Sequence, residues 1–311
     1  MSIRIGIGTA LSASALSPRD YWRWVDYCEE SGVDSIWHSD QLLGATLEPM
    51  AMLAALAART RRMRFGTNAL VVPFRDPIVV AKEFAAIDYL SEGRLFPVLG
   101  VGHEIDPYWQ ATGANLRERG KRSNEAIELI RALLGQEEVH FAGSFYRYDG
   151  PGVEPRPARP LPLWIGGQSE AAIKRTAAIG DGWLGSFTGP AKAGEARRRI
   201  EAALAANGRS IDSDHYGLSL PMRIGDVDDP AVVAARERIA QRMPPKERDN
   251  MSDSFAVGSP DAVIDLLRQF VDAGMSKFVM IPLVANAGEL MAQTRMLVEH
   301  VAPAIEDRVP A

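Results

Sequence analysis

The chain has 311 residues, of which 46% are apolar and 24% charged, and a formal net charge of −5. These values exclude a disordered or fibrous chain, and so mild an acidity gives no sign of a nucleic-acid or membrane partner. The length fits two average domains or one α/β barrel with insertions.

The elements read in chain order as follows. Residues 3–8 form a first strand, entered without a cationic leader or a continuous apolar signal region, and no apolar run approaches the ~18 residues of a membrane span. Ser17-Pro18-Arg19-Asp20 has the form of a capping box opening a helix to about residue 31. The single cysteine, Cys28, shares a face of that helix with Tyr21 and Val25. It excludes an internal disulfide and reads as a buried inert thiol, with a redox thiol as the alternative. A reducing, cytoplasmic location is expected.

Residues 34–39 form a second strand. The segment 48–102 then reads as two helix-then-strand units. Met50, Leu53 and Ala57 share one helical face, residues 63–72 are rich in strand formers, and Asp76-Pro77 looks like an N-cap with proline at the first helical position. Val80, Phe84 and Ile87 repeat at helical spacing, Gly93 stops that helix, and residues 94–99 make the fourth strand. Such alternation implies a parallel sheet, because parallel neighbours need helical crossovers.

A helix over 121–134 leads to a β-hairpin over 139–148, with Gly143 in its middle, and a proline-rich connector over 150–160. The pattern resumes with strands at 163–165, 181–186, 216–224 and 277–281. Helices at 169–179, 190–206, 260–273 and 288–301 separate and follow them. The charged segment 226–254, with Pro244-Pro245, reads as a helical excursion with a mobile loop, either a solvated insertion or a lid. Eight strands, each followed by helical sequence, give a (β/α)8 TIM barrel as one domain over 1–311, with insertions at about 136–160 and 226–255.

In such a barrel the ligand site lies at the carboxyl ends of the strands. The second strand ends in His38-Ser39-Asp40-Gln41, the third in Thr67-Asn68-Ala69 and the fourth in Gly100-Val101-Gly102-His103-Glu104. The fifth ends in Gly166-Gly167-Gln168-Ser169 and the sixth in Ser186-Phe187-Thr188. Gly166 to Ser169 follows a strand and opens a helix, so its amides and Ser169 can hold a phosphate; a tight turn with Ser169 as an ordinary N-cap is the other reading. His38 and Asp40 share a strand face by their two-residue spacing. The histidines, His38, His103, His140, His215 and His300, show no HxH or HxxxH spacing, so no metal site is expected. Arg197-Arg198-Arg199 and the arginines within 59–64 read as solvated helix faces or ends, or as a phosphate grip. Tyr108, Trp109, Trp183 and Phe187 are core residues or lining of a ring-sized pocket.

The runs AARTRRMRFGT, PFRDP and AKEFAAIDYLSEGRLFPVLGVG, followed by SFY, PLWIGGQS and AAIGDGW, resemble the bacterial luciferase-like superfamily in its usual order. Members use reduced FMN for oxygenation or coenzyme F420 for hydride transfer. The resemblance covers about four fifths of the chain and implies a cofactor across the strand ends. Its phosphate would lie at Gly166, Gly167, Gln168 and Ser169, its ring near Gly100 and Gly102, with Thr67, Ser186 and Thr188 among the contacts. It also implies a non-proline cis peptide at Asn68-Ala69 behind the ring, against the reading of a regular strand pair.

Asp40-Gln41 falls where the superfamily commonly has Asp-His. Glutamine cannot exchange a proton near neutral pH, so His38, His103 and Glu104 join Asp40 and Gln41 as candidates for catalytic work. The VLGVGHE and IGGQS segments resemble the F420-using branch. The expectation is therefore F420-dependent hydride transfer with a small organic substrate. The alternatives are FMNH2-dependent monooxygenation and a flavin-binding protein without turnover. Family members usually dimerise through the region of helix 48–59, whose Met50, Met52, Leu53 and Leu56 spread over more than one face, so a homodimer is expected.

Overall fold

The structure, a computed structural model, describes residues 2–104, 107–242 and 253–306. Parallel strands β1 (Arg4–Thr9), β2 (Ser35–His38), β3 (Arg64–Thr67), β4 (Leu70–Val71), β5 (Leu95–Phe96) and β6 (Val98–Gly100) make one half of the barrel. The hairpin β7 (Glu138–Ala142) and β8 (Arg147–Pro151) stands apart, and β9 (Trp164–Gly166), β10 (Gly182–Ser186), β11 (Tyr216–Ile224), β12 (Ala256–Gly258) and β13 (Lys277–Pro282) complete the sheet. The ladder runs β6-β9-β10-β11-β13-β1-β2-β3, with every pairing parallel. It closes where β3 pairs with β5 and β4 with β6.

The third and fourth barrel strands were expected to be continuous, and each is broken. Residues 68 and 69 separate β3 from β4, and Pro97, which lacks an amide proton, separates β5 from β6. Thr67 mends the gap: its hydroxyl donates to the Val98 carbonyl at 2.7 Å and accepts from the Val98 amide at 3.0 Å.

Inside the barrel, Trp37, Phe96, Val98, Trp164, Leu184 and Val279 pack as a cluster of their own. Space for them comes from glycine. A Cβ on Gly66 would fall 2.1 Å from the Phe96 carbonyl oxygen and 2.8 Å from the Trp37 ring. The lower end is closed by a buried pair, Lys277 with Asp34, and the Lys277 ammonium also lies 5.8 Å from the centroids of Trp37 and Phe96. Lys277 keeps the Asp34 carboxyl below its ordinary range despite burial.

Alternate strand residues, among them Ile5, Ile7, Ile36 and Phe65, face outward into the larger core under the helices. Helix α1 (Pro18–Glu30) is capped by Ser17, which accepts from the Asp20 amide at 3.2 Å. In α3 (Pro77–Ser91) Asp76 accepts from the amides of Ile78 and Val79, and the chain leaves through Glu92 and Gly93, both left-handed. Cys28 is fully buried, and burial raises its thiol pKa.

Helix α2 (Pro49–Arg59) differs from expectation: Met50, Met52, Leu53 and Leu56 are all buried within the chain, at 8% exposure or less. Helices α4 (Tyr108–Thr112), α5 (Arg119–Gly135), α6 (Glu170–Ile179), α7 (Pro190–Ala206), α9 (Pro260–Asp272) and α10 (Ala287–Met296) match the remaining pattern, with α4 unforeseen. The insertion expected at 226–255 carries α8 (Pro230–Arg242), and the unforeseen strand β12 follows it, paired with the end of β11. Its proposed mobile loop lies largely outside the described residues. No helix among the described residues is long and apolar enough to cross a membrane.

Candidate active site at the carboxyl ends of the strands

The barrel mouth holds a cavity of about 760 Å³. Its floor is the break in the third strand, where the Asn68-Ala69 peptide is cis, as the resemblance implied. Three bonds and contacts fix this turn. The Asn68 amide donates to the His38 carbonyl at 2.8 Å, and Asn68 Nδ2 donates to Ser219 Oγ at 2.9 Å. The Ala69 methyl sits between two glycines: a Cβ on Gly100 would lie 3.2 Å from it and one on Gly166 3.1 Å. Gly100 was expected near a ring and Gly166 near a phosphate; both abut Ala69, and all three residues line the cavity.

Gly102 has φ +75°, and a Cβ there would come within 2.9 Å of both Trp109 and Val71. Trp109 is buried beneath it and its indole donates to the His103 carbonyl at 2.8 Å, so the end of the fourth strand is folded over this side chain. Gly167, with φ +110°, leads into α6. Its carbonyl accepts from the indole of the fully buried Trp183 at 2.6 Å, while Ser169 caps the helix by accepting from Ala172 N at 3.2 Å. A capping hydroxyl keeps its own proton for a ligand, and the amides of Glu170 and Ala171 have no carbonyl partner in the first turn of a helix. The Glu170 carboxylate is engaged by Arg199 and, at 3.8 Å, by Lys174, which leaves the helix start suited to an anion. The basic run at 197–199 thus enters as a partner of Glu170 through Arg199, not as a direct phosphate grip.

Ser39, Asn68, Ala69, Gly100, Gly102, His103, Glu104, Gly166, Gly167, Gln168, Ser169 and Ser186 come together around this cavity. Thr67 and Thr188 do not. Both are buried, at 0% and 5% exposure, and Thr67 serves the strand seam. Phe187, 64% exposed with φ +51°, stands at the rim, 6.0 Å from the ring of Phe255.

The second-strand candidates need correction. Ser39 lines the cavity and Trp37 lies inside the barrel, so His38 and Asp40 share the outer face. Asp40 is an anchor: its side chain, 1% exposed, accepts from the Val71 amide at 2.8 Å and from Arg75 at 2.5 and 3.1 Å. Arg75 also reaches Glu48 at 3.0 Å. Gln41 is exposed in the loop that follows and lies outside the lining. His38, 6% exposed, meets the Tyr21 hydroxyl at 2.9 Å through Nε2, and burial lowers its pKa to about 4. It is neutral near pH 7 and separated from the cavity by the barrel wall.

Of the five catalytic candidates, His103 and Glu104 are the ones that line the cavity. Glu104, 72% exposed at its side chain, is held by Arg119 at 2.6 Å. The sequence reading missed Arg119, Ser219, Pro221 and Ile281, which also line the cavity. Ser219 and Pro221 carried a signal: with Arg223 they recur at every second residue between the apolar positions of β11. At the opposite end of the barrel, Asp212, Asp214 and His215 place ligand atoms within 4.8 Å of one another, a grouping that histidine spacing did not reveal.

The chain is similar to an F420-dependent glucose-6-phosphate dehydrogenase of Amycolatopsis mediterranei, with 26% identity over 88% of this chain and 91% of that protein. Its fold is similar to that of the monooxygenase RslO1 from Streptomyces bottropensis, with a TM-score of 0.84 and 21% identity over 97% of this chain and 99% of that one. An F420-dependent secondary alcohol dehydrogenase bound to an F420-acetone adduct superposes with a TM-score of 0.82 and 19% identity, over 99% and 100% of the two chains. Both structural likenesses are of fold alone. Residues 1–277 match the luciferase-like monooxygenase family, and together with the barrel and its cis-peptide floor this places the chain in that family.

Proposed function

We propose that the protein is an F420-dependent oxidoreductase that moves hydride between the cofactor and a small organic substrate. The observation that carries this reading is the cavity itself: a floor of backbone and small side chains at Asn68, Ala69, Gly100 and Gly166, with an anion-suited helix start at one end. The similarity to an F420-dependent dehydrogenase along most of the chain supports the choice of cofactor.

The residues fit such a group. Asn68 and Ala69 would lie against a planar ring, and Gly167, Gln168, Ser169 and the first amides of α6 would hold a phosphate. When bound, the deazaflavin supplies the hydride chemistry, and the protein supplies binding, orientation and electrostatics. Glu104, steadied by Arg119, would give or take the proton at its carboxylate oxygen, with His103 beside it. Among the described lining residues Arg119 is the one permanent cation, and Glu104 already engages it. A phosphorylated sugar would need free cationic donors, so we favour an uncharged substrate for this chain.

FMN is the alternative cofactor, with oxygenation as the reaction, and the fold shared with a monooxygenase keeps it in view. Titrating the apoprotein with F420 and with FMN decides between them. Submicromolar F420 binding, followed by turnover with a secondary alcohol or ketone, is the expected result. Tight FMN binding without F420 binding would overturn the cofactor assignment, and binding without turnover of any substrate would favour a flavin-binding role.

We further propose a homodimer in a reducing, cytoplasmic setting. Because the apolar side chains of α2 are used internally, its contact would centre on α3, where Val79, Tyr89 and Leu90 are 54%, 68% and 61% exposed. Light scattering that returned a monomer mass would refute it.

A further inference from the structure

A second cavity, of about 280 Å³, lies on the other side of the barrel wall. Thr9 and His38, which pair across β1 and β2, form its base, and Tyr21, Trp22 and Met52 of the helices face them. The loop after β1 and the loop after β2 roof it over, joined by the bond from the Ala13 amide to the Ala45 carbonyl at 2.9 Å. Thr9 and His38 belong to the outward-facing set of their strands, opposite to Ser39, so this chamber and the large cavity are separated by the strands themselves.

The chamber is largely apolar but holds two uncompensated polar groups. Thr46 Oγ1 is buried and has no hydrogen-bond partner among the described residues. His38 is bonded at Nε2. Burial holds the Tyr21 hydroxyl protonated, and donation to Nε2 is the arrangement that matches its proton, since the reverse bond would leave both that proton and His38 Nδ1 unmatched. In neutral His38 the remaining proton then sits on Nδ1, which is a donor without an acceptor among the described residues. A buried donor left unmatched, as at Thr46, is costly, and an apolar chamber with a few polar groups is the usual form of a small-molecule site.

We propose that this chamber is a second binding site, for a small neutral molecule with an apolar body and a carbonyl oxygen that accepts a hydrogen bond from Thr46 or from His38. A cation finds no carboxylate in its lining and an anion no cationic side chain. A hydrocarbon would leave both donors unmatched. The His38 carbonyl holds the Asn68 amide, so one residue connects the occupant of this chamber to the floor of the large cavity.

Cyclohexanone is the probe, followed by the methyl resonance of Met52 in methyl-labelled methionine protein, assigned with Met52→Leu. A saturable shift is expected. Thr46→Val or His38→Phe, whichever removes the donor in use, should weaken it about tenfold, as loss of one hydrogen bond implies, and methylenecyclohexane, of the same shape without the oxygen, should bind about tenfold more weakly than cyclohexanone. Ser12→Phe, a roof substitution that fills the chamber, should abolish the shift while keeping the native thermal midpoint. No saturable shift in the unmodified protein, equal binding of the two probes, unchanged binding in both Thr46→Val and His38→Phe, or binding that survives in Ser12→Phe would each overturn the proposal.

Discussion

Replacing Asp40 separates the two roles open to it. If Asp40 is the anchor its contacts describe, Asp40→Ala removes the acceptor of the Val71 amide and both bonds to Arg75, at 2.8, 2.5 and 3.1 Å. Removing one partner of a buried pair costs about 3–5 kcal/mol when the other charge is stranded. Arg75 keeps Glu48 at 3.0 Å, so the lower end, about 3 kcal/mol, is expected. In urea unfolding this appears as a shift of the midpoint with an unchanged slope. The double variant with Arg75→Met tests the origin of the loss, because it removes the stranded guanidinium. It should be no less stable than Asp40→Ala alone, with a coupling energy of about 2 kcal/mol. Turnover measured well below the new midpoint should fall less than tenfold. A variant within about 0.5 kcal/mol of the parent that has lost turnover a hundredfold would refute this reasoning and return Asp40 to the chemistry.

His38 makes stability depend on pH. Its pKa falls from 6.5 to about 4 on folding, so the unfolded chain binds the proton more readily in between. The contribution is present in full above pH 6.5 and is lost as pH falls towards 4, an amount of about 3 kcal/mol, and His38→Phe should flatten that part of a stability profile relative to the parent. Glu104→Gln should lower kcat at least tenfold with the cofactor Kd unchanged, whereas Gln41→Ala, outside the lining, should change kcat/KM less than threefold; steady-state assays with separate cofactor titration decide both. Gly102→Ala places a methyl against Trp109 and Val71 in a left-handed backbone. It should cost about 1–2 kcal/mol in unfolding and weaken cofactor binding by fluorescence titration; equal stability and affinity would count against the packed role of Trp109.

The fold was largely readable because strand and helix patterns alternate along most of the chain: Pro190–Ala206 and Tyr216–Ile224 appear with the expected bounds. The cis turn was readable through the resemblance. Which face of a strand looks inward was not. In a parallel barrel both faces are buried, so hydropathy does not distinguish them. The two-residue spacing rightly put His38 and Asp40 together and could not say that their side was the outer one. Glycines were ambiguous for a similar reason. An absent side chain marks a close approach, and at Gly100 and Gly166 the neighbour that approaches is Ala69, brought there by a turn of the chain some distance away in sequence. Met52 lines the outer chamber together with residues of the loops after β1 and β2, a neighbourhood that helical spacing does not show.

The barrel is stitched shut by short ladders, with β4 and β5 offering two residues each beside the mended break at Thr67. A sheet opens first where its cooperative runs are shortest, so hydrogen exchange should find the least protected strand amides along this one side. That side also bears the floor of the large cavity. A ligand lying across Ala69, Gly100 and Gly166 would therefore act as a clasp as well as a reactant: occupancy and closure of the barrel would reinforce each other, and the loaded protein would breathe less than the empty one.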